Sequence, residues 1–380
     1  MTEKLYYQNA YTQSFEARVV STFEENGKFV IALDRTAFFP EEGGQYSDTG
    51  TIDGARVEKV VENAGVIYHY VDSFIEENTY VFCKIDFDQR YEKMQSHTAE
   101  HILSGLIHKK YGLDNVGFHL GAEDVTLDIS APLSREEIFE IERLANEAVY
   151  ANVKVDSVFP TKEELPSMTY RSKLDITENV RIVNIGEYDS CACCAPHVNY
   201  TGEIGLIIIL DFEKLRGGMR IHIAAGRRAY RIYKNNYENL STISHALSVP
   251  RSDTADAVNK MLSDFEQTKF KYKSARALYF EREADFINSS DGNLLFCFED
   301  ATQEEMRIVA NKATSKVGKI LVLLSGNDGN YKYLLSSERV DLRVEVQKIN
   351  AALSGRGGGS SSMVQGSFFA TLDQIKGYFI

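Results

Sequence analysis

The chain has 380 residues, 43% of them hydrophobic and 26% charged, and a net charge of -13 at pH 7. Such a length exceeds one typical core, so two to four folding units are expected, with the composition of a globular rather than a fibrous or disordered chain. No apolar run is long enough to span a bilayer and residues 1–5 lack a signal-peptide core, so a cytoplasmic protein is expected. The acidic balance excludes indiscriminate polyanion binding and confines any nucleic-acid contact to a local basic patch.

In chain order, residues 17–21, 28–33, 66–71 and 80–85 are short β-branched or aromatic runs separated by turn residues, and a small barrel is the natural closure for them. Between the second and third runs, residues 34–50 carry Gly43 and Gly44. These permit a tight turn and a close backbone approach to a ligand, with Thr36 and Gln45 as polar contacts. Ser96 reads as the cap of a helix with Ala99, Ile102, Leu103 and Leu106 on one side and His97, His101, Ser104 and His108 on the other; Lys109, Lys110 and Gly112 supply the stop. His97 and His101, at i and i+4, stack about 6 Å apart and can reach one ion, whereas His108 lies about 10 Å further along the axis.

After Gly112, residues 116–121 and 125–129 read as a hairpin, and 135–149 as an amphipathic helix with Ile138, Ile141, Leu144 and Ala148 on one face. Residues 153–159 and 180–185 read as strands, the second running into Cys191, Cys193 and Cys194. Three of the five cysteines cluster here, which suits metal ligation in a reducing compartment better than a disulfide frame. Cys193 and His197 repeat the spacing of the histidine pair. Three imidazoles and a thiolate make a tetrahedral set suited to one zinc per chain; the choice of Cys193 over its neighbours rests on spacing alone. Lys214, Arg216, Arg220, Arg227, Arg228, Arg231 and Lys234 follow with no acidic residue between them, the pattern of a phosphate-tracking patch.

From about 228 to 286 the pattern is two long helices broken at Pro250. The second carries Val258, Met261, Phe265, Thr268, Tyr272, Ala275 and Tyr279 at alternating spacings of three and four. A lone seam of this kind must be covered, and a homodimer through the C-terminal region is the expected solution. From about 292, strands and helices alternate up to a glycine-serine run over 354–367, which by itself reads as a flexible loop.

His97-Thr98-Ala99-Glu100-His101, followed by Cys193-Cys194-Ala195-Pro196-His197-Val198 and Thr201-Gly202-Glu203-Ile204-Gly205, resembles the editing domain of alanyl-tRNA synthetases. It is still more similar to their free-standing relatives, the AlaX trans-editing proteins, in the long form. Residues 34–50 resemble the glycine-rich motif preceding that domain, and 357–359 with 363–365 the motif ending the synthetase C-terminal domain, where Ser361 and Ser362 depart from the pattern. The resemblance implies an α+β chain: a small β-barrel over 1–90, an editing domain of the alanyl/threonyl-tRNA synthetase type over 91–228, a helical hairpin over 229–288 and a C-terminal α/β domain over 289–380. No room is left for an aminoacylation domain, so the implied activity is editing in trans, the hydrolysis of serine, and also glycine, from mischarged tRNA(Ala). Thr36, Gln45 and His119 are the expected polar wall for the serine hydroxyl. His119 and Glu203 are candidates for proton transfer, beside a zinc that positions the substrate and polarises water. Two rival readings are a non-catalytic tRNA-binding module with a structural zinc and a zinc hydrolase of small molecules.

Overall fold

A computed structural model describes residues 1–121, 125–172 and 180–380, which fall into two compact units, Met1–Ser241 and Thr242–Ile380. In the first unit a two-residue strand (Glu3–Lys4) and a short helix (Leu5–Gln8) precede β1 (Ser14–Glu25), β2 (Lys28–Leu33), β3 (Gly50–Ile52), β4 (Ala55–Asn63), β5 (Val66–Val71) and β6 (Tyr80–Ile85). They pair in the order β1-β2-β5-β4-β3-β6 and close on themselves. Alternation sends one face of each strand inward, so that Val19, Ile31, Ile52, Val57, Val60, Ile67, Val81 and Ile85 share one core. Residues 50–63 carry no clear strand signal in the sequence because Arg56, Glu58, Lys59 and Glu62 interrupt it, yet Ala55, Val57 and Val60 are buried.

Helix α1 (Phe87–Tyr111) follows. It begins at Phe87 and not at Ser96, which lies buried inside the helix. Apolar periodicity misses the first turns because two of the residues that they bury, Arg90 and Lys93, are cations. The expected stop is present: Gly112 adopts a left-handed φ of 68° and donates its N–H to the His108 carbonyl.

Strands β7 (Asn115–Leu120) and β8 (Val125–Ile129), helix α2 (Arg135–Tyr150), strands β9 (Val155–Val158), β10 (Ile182–Ile185) and β11 (Asp189–Ala192), then β12 (Ile207–Leu215) and β13 (Gly218–Ala225) complete the unit. They make a four-stranded sheet, β12-β13-β8-β7, and a three-stranded one, β9-β10-β11. Ala99, Ile102 and Leu103 of α1 share a core with Leu127, Ile129, Ile221 and Ile223 of the larger sheet and Ile138, Ile141 and Ala145 of α2. Each fully buried isoleucine or leucine there contributes about 1.5–3 kcal/mol. Ser134 and Glu137 form a capping box that starts α2.

Helix α3 (Gly226–Leu247) contains the division between the units, and residues 248–253, with Pro250, separate it from α4 (Thr254–Asp285). The second unit holds β14 (Leu294–Phe298), α5 (Gln303–Ala313), β15 (Leu321–Asn327), β16 (Asn330–Ser336), α6 (Leu342–Ala352), β17 (Arg356–Gly359), β18 (Met363–Phe368) and α7 (Leu372–Phe379). Its sheet runs β14-β15-β16-β18-β17. Phe280 and Ala284 of α4 pack with Met306, Val309 and Ala310 of α5, whereas Met261, Phe265, Tyr272 and Tyr279 are exposed. The glycine run is ordered as an edge strand, with Gly357 opposite Gly366. A Cβ on Gly366 would lie 2.7 Å from the Tyr333 ring, which stacks on Phe368 at 4.0 Å, so glycine is a packing requirement there. No helix among the described residues is long and apolar enough to cross a membrane.

Candidate metal centre

Two turns of α1 present His97 and His101, and the segment after β11 presents Cys193 and His197. One ligand atom from each of the four lies within 4.8 Å of all the others. Cys193 Sγ is 3.6 Å from His97 Nε2 and 3.4 Å from His197 Nε2. A tetrahedral zinc bound through nitrogen and sulfur at its usual bond lengths places those two donors about 3.6 Å apart, so the set fits the ion.

Each imidazole is held by its other nitrogen. His97 Nδ1 donates to Gln45 Oε1 at 2.9 Å, and His101 Nδ1 to Asp189 Oδ2 at 2.8 Å. His197 Nδ1 lies 3.0 Å from Thr98 Oγ1, which spends its own proton on the Met94 carbonyl and therefore accepts. All three Nε2 atoms are thus left for a metal, the arrangement that outer partners impose on histidine ligands. Asp189 is itself gripped by Arg171, whose Nε and Nη2 lie 2.7 and 2.9 Å from its two oxygens. Burial pushes the Cys193 thiol up, but its interactions with the facing imidazoles of His97, His197 and His101 outweigh that and hold the group well below the ordinary thiol value. Burial and the Cys193 thiolate push its neighbour Cys194 the other way. The cysteine chosen on spacing is the one that faces the imidazoles.

The four donors stand beside a cavity of about 370 Å³ whose wall includes Tyr7, Glu42, Gly43, Glu100, Asn115, Phe118, Arg171, Arg181 and Cys194. Gly43 belongs to it, and Gly44 explains the loop's course. At φ 80° and with any Cβ only 2.4 Å from the Phe118 carbonyl, no side chain fits at Gly44. Three helix residues clamp this loop. Arg90 and Lys93 both engage Asp48, Lys93 Nζ also reaches the Ser47 carbonyl at 2.7 Å, and His97 takes Gln45.

The other expected site residues fall elsewhere. Thr36 is buried in the barrel, where its hydroxyl meets His69 Nε2 at 2.9 Å. Gln45 holds the His97 ring and is not among the residues that line the cavity. His119 is exposed, because strand alternation turns it away from the face that carries Phe118 into the cavity. Glu203 accepts from the Tyr11 and Tyr91 hydroxyls at 2.6 and 3.1 Å and from the N–H groups of Asn199 and Tyr200, which commits it to a turn.

The basic stretch is also largely committed. Arg220 pairs with Asp128 at 2.8 Å, Arg227 with Asp88, and Arg228 and Arg231 with Glu92. Its acidic partners come from α1 and β8, so the charge that stands alone in sequence is offset in space. Arg228 is buried as well. Lys214 and Arg216 are exposed.

Three family descriptions match the chain: tRNA synthetases class II (A) over residues 2–89, the threonyl and alanyl tRNA synthetase second additional domain over 180–222, and the DHHA1 domain over 291–375. An alanine–tRNA ligase of Methanobrevibacter smithii is 31% identical over 96% of this chain and 44% of its own length. The chain spans about two-fifths of the first such ligases that it matches. The alanyl-tRNA editing protein AlaX-L of Pyrococcus horikoshii is 26% identical, and the match takes in 99% of this chain and 96% of that one. Over nearly its whole length, then, the chain is similar to an AlaX-type editing protein. A solved C-Ala domain of Aquifex aeolicus alanyl-tRNA synthetase aligns with 24% of the chain at 19% identity and a TM-score of 0.21.

The matched second additional domain carries Cys193 and His197, while His97 and His101 precede it. The four donors are visible in the sequence; the residues that hold them are not. Nothing in the sequence singles out Thr98, and Asp189 lies beyond the strand read over 180–185. Only the oddity of a carboxylate two residues before a cysteine cluster marks Asp189 as a partner.

Proposed function

We propose that the chain hydrolyses the ester of mischarged tRNA(Ala), chiefly Ser-tRNA(Ala) and also Gly-tRNA(Ala), in trans. The observation that carries this reading is the juxtaposition of a three-imidazole, one-thiolate set with a cavity large enough for an aminoacyl group and part of a nucleoside. His97, His101, Cys193 and His197 would hold one zinc, which when bound acts as a Lewis acid toward the ester or a water. Asp189, Gln45 and Thr98 fix the imidazole orientations, and Phe118 and Tyr7 narrow the cavity around the substrate. Serine is larger than alanine by one hydroxyl, and a site that hydrogen-bonds it discriminates far better than one that measures size.

A closed set of four protein donors is also the mark of a structural zinc. Deacylation of Ser-, Gly- and Ala-tRNA(Ala) by the purified full-length protein, with and without chelator, separates the two. Release of serine that stops on chelation and returns with zinc is expected. Unchanged charged tRNA in every case would leave a binding module only.

For tRNA binding, the exposed Lys214 and Arg216 are the basic residues proposed to meet phosphate. Reversing both to Glu is expected to reduce the slope of log affinity against log salt by about 2, and an unchanged slope would move the contact elsewhere. For assembly, the exposed Met261, Phe265, Tyr272 and Tyr279 on α4 support a homodimer. Light scattering is expected to give twice the chain mass, falling to one chain in Phe265→Asp/Tyr272→Asp; a monomeric wild type would end the idea.

A further inference from the structure

We propose that Glu100 receives the α-ammonium group of the substrate and so restricts the site to aminoacyl esters whose amine is free. The inference rests on reading this site as an aminoacyl-ester hydrolase. Glu100 is 4% exposed and lines the cavity together with His97, His101 and Cys193. Both of its hydrogen bonds, from Ser104 Oγ and Asn115 Nδ2, fall on the same oxygen, Oε1. Asn115 cannot turn over without loss, because its own Oδ1 accepts from the Gly117 N–H at 3.0 Å. The carboxylate is therefore pinned by one oxygen, and Oε2 is left to the cavity. Among the described residues no lysine, arginine or histidine forms an ion pair with it, whereas the nearby Asp48, Glu92 and Asp189 each hold an arginine.

Arg171 of the same cavity acts on Glu100 only from beyond ion-pair distance, and a buried carboxylate without a cation in contact is costly unless something supplies one. An aminoacyl ester carries a single cation in its amino-acid part, the α-ammonium, one bond from the carbon that bears the ester carbonyl. Glu100 precedes the ligand His101 directly and follows His97 by three positions, on the face of α1 that looks at the same cavity. A carboxylate there would take the ammonium while the ester carbonyl lies toward the four donors. An N-acylated ester, such as a peptidyl group on tRNA, has no cation to offer and would leave Oε2 unpaired.

Glu100→Gln tests this, because the new side chain keeps Oε1 for Ser104 and Asn115 and changes only the oxygen that faces the cavity. Hydrolysis of Ser-tRNA(Ala) and N-acetyl-Ser-tRNA(Ala) would be compared in wild type and variant, with metal content measured in both. The preference for the free amine is expected to fall about 10- to 100-fold in the variant, the range of one hydrogen bond to a charged group. The whole loss should lie on the free-amine substrate, with metal content unchanged. A ratio within one protein does not depend on how much of it is folded. An unchanged preference, or an equal loss on both substrates as expected of a proton-transfer group, would overturn the proposal. Calorimetric binding of 3′-deoxy-3′-(seryl)aminoadenosine and its N-acetyl derivative reads the same preference without turnover. If wild type releases no serine from Ser-tRNA(Ala), the hydrolase reading fails, and the binding preference still decides the role of Glu100.

Discussion

Replacing His101 or Cys193 by alanine is expected to abolish stoichiometric zinc and Ser-tRNA(Ala) deacylation together, while Cys194→Ala keeps both. Cys193 Sγ is the sulfur that faces His97 and His197 at 3.6 and 3.4 Å, and a thiolate is the form that binds a metal. Cys194, pushed toward its protonated form by burial and by the neighbouring thiolate, contributes to the cavity wall instead. The outer partners should show a graded effect. Asp189→Asn leaves His101 with a poorer acceptor and Arg171 with half its partner, and is expected to weaken metal affinity by about 10- to 100-fold. Atomic spectroscopy of the dialysed proteins checks both. Equal zinc in His101→Ala and wild type would remove the metal from this site, and loss from Cys194→Ala with retention in Cys193→Ala would reassign the thiolate.

Asp48→Asn is expected to cost about 3–5 kcal/mol, the usual penalty for stranding a buried charge by deleting its partner. Asp48 is 1% exposed and meets Arg90 Nε at 2.9 Å, Lys93 Nζ at 3.4 Å and the Phe39 N–H at 2.7 Å. Without it two buried cations face each other, and the loop from Gln45 to Asp48 loses its hold on α1. Burial raises the Asp48 carboxyl, but Arg90 and Lys93 more than offset that and leave it below the ordinary carboxylate value. The sign follows: a folded-state value below the unfolded one adds stability that is complete above about pH 4 and fades as pH falls further. Denaturant melts at pH 7 and pH 3 test it. The gap between wild type and variant should be large at pH 7 and shrink at pH 3, and a gap independent of pH would show that packing, not charge, holds the loop.

The same triad shows where sequence stops being legible. Strands β1, β2, β5 and β6 announce themselves because their buried positions are valines, isoleucines and aromatics, and the four candidate metal donors because of their repeated spacing. The first turns of α1 do not, since Arg90 and Lys93 are interior residues that look like surface ones until Asp48, more than forty positions earlier, is brought to them. The basic stretch misleads for the converse reason. Nothing local reveals that Asp88, Glu92 and Asp128 lie against Arg227, Arg228, Arg231 and Arg220. Thr36 and Gln45 sit in one motif, but strand and turn geometry send one to the barrel core and the other to a histidine. His119 and Phe118 are adjacent letters on opposite faces of a strand.

The partners of α1 are also remote in time. Gln45 precedes His97 by 52 positions, while Asp189 follows His101 by 88 and His197 follows Thr98 by 99. At a synthesis rate of about 5–20 residues per second, the residues of the helix and of its backward clamp are made roughly 5–20 seconds before His197. During translation, then, half of the candidate donor set is made before Asp189, the partner that orients His101 in the complete fold. The candidate centre can therefore close only once His197 has been made, which ties its completion to the last part of the first unit to be synthesised.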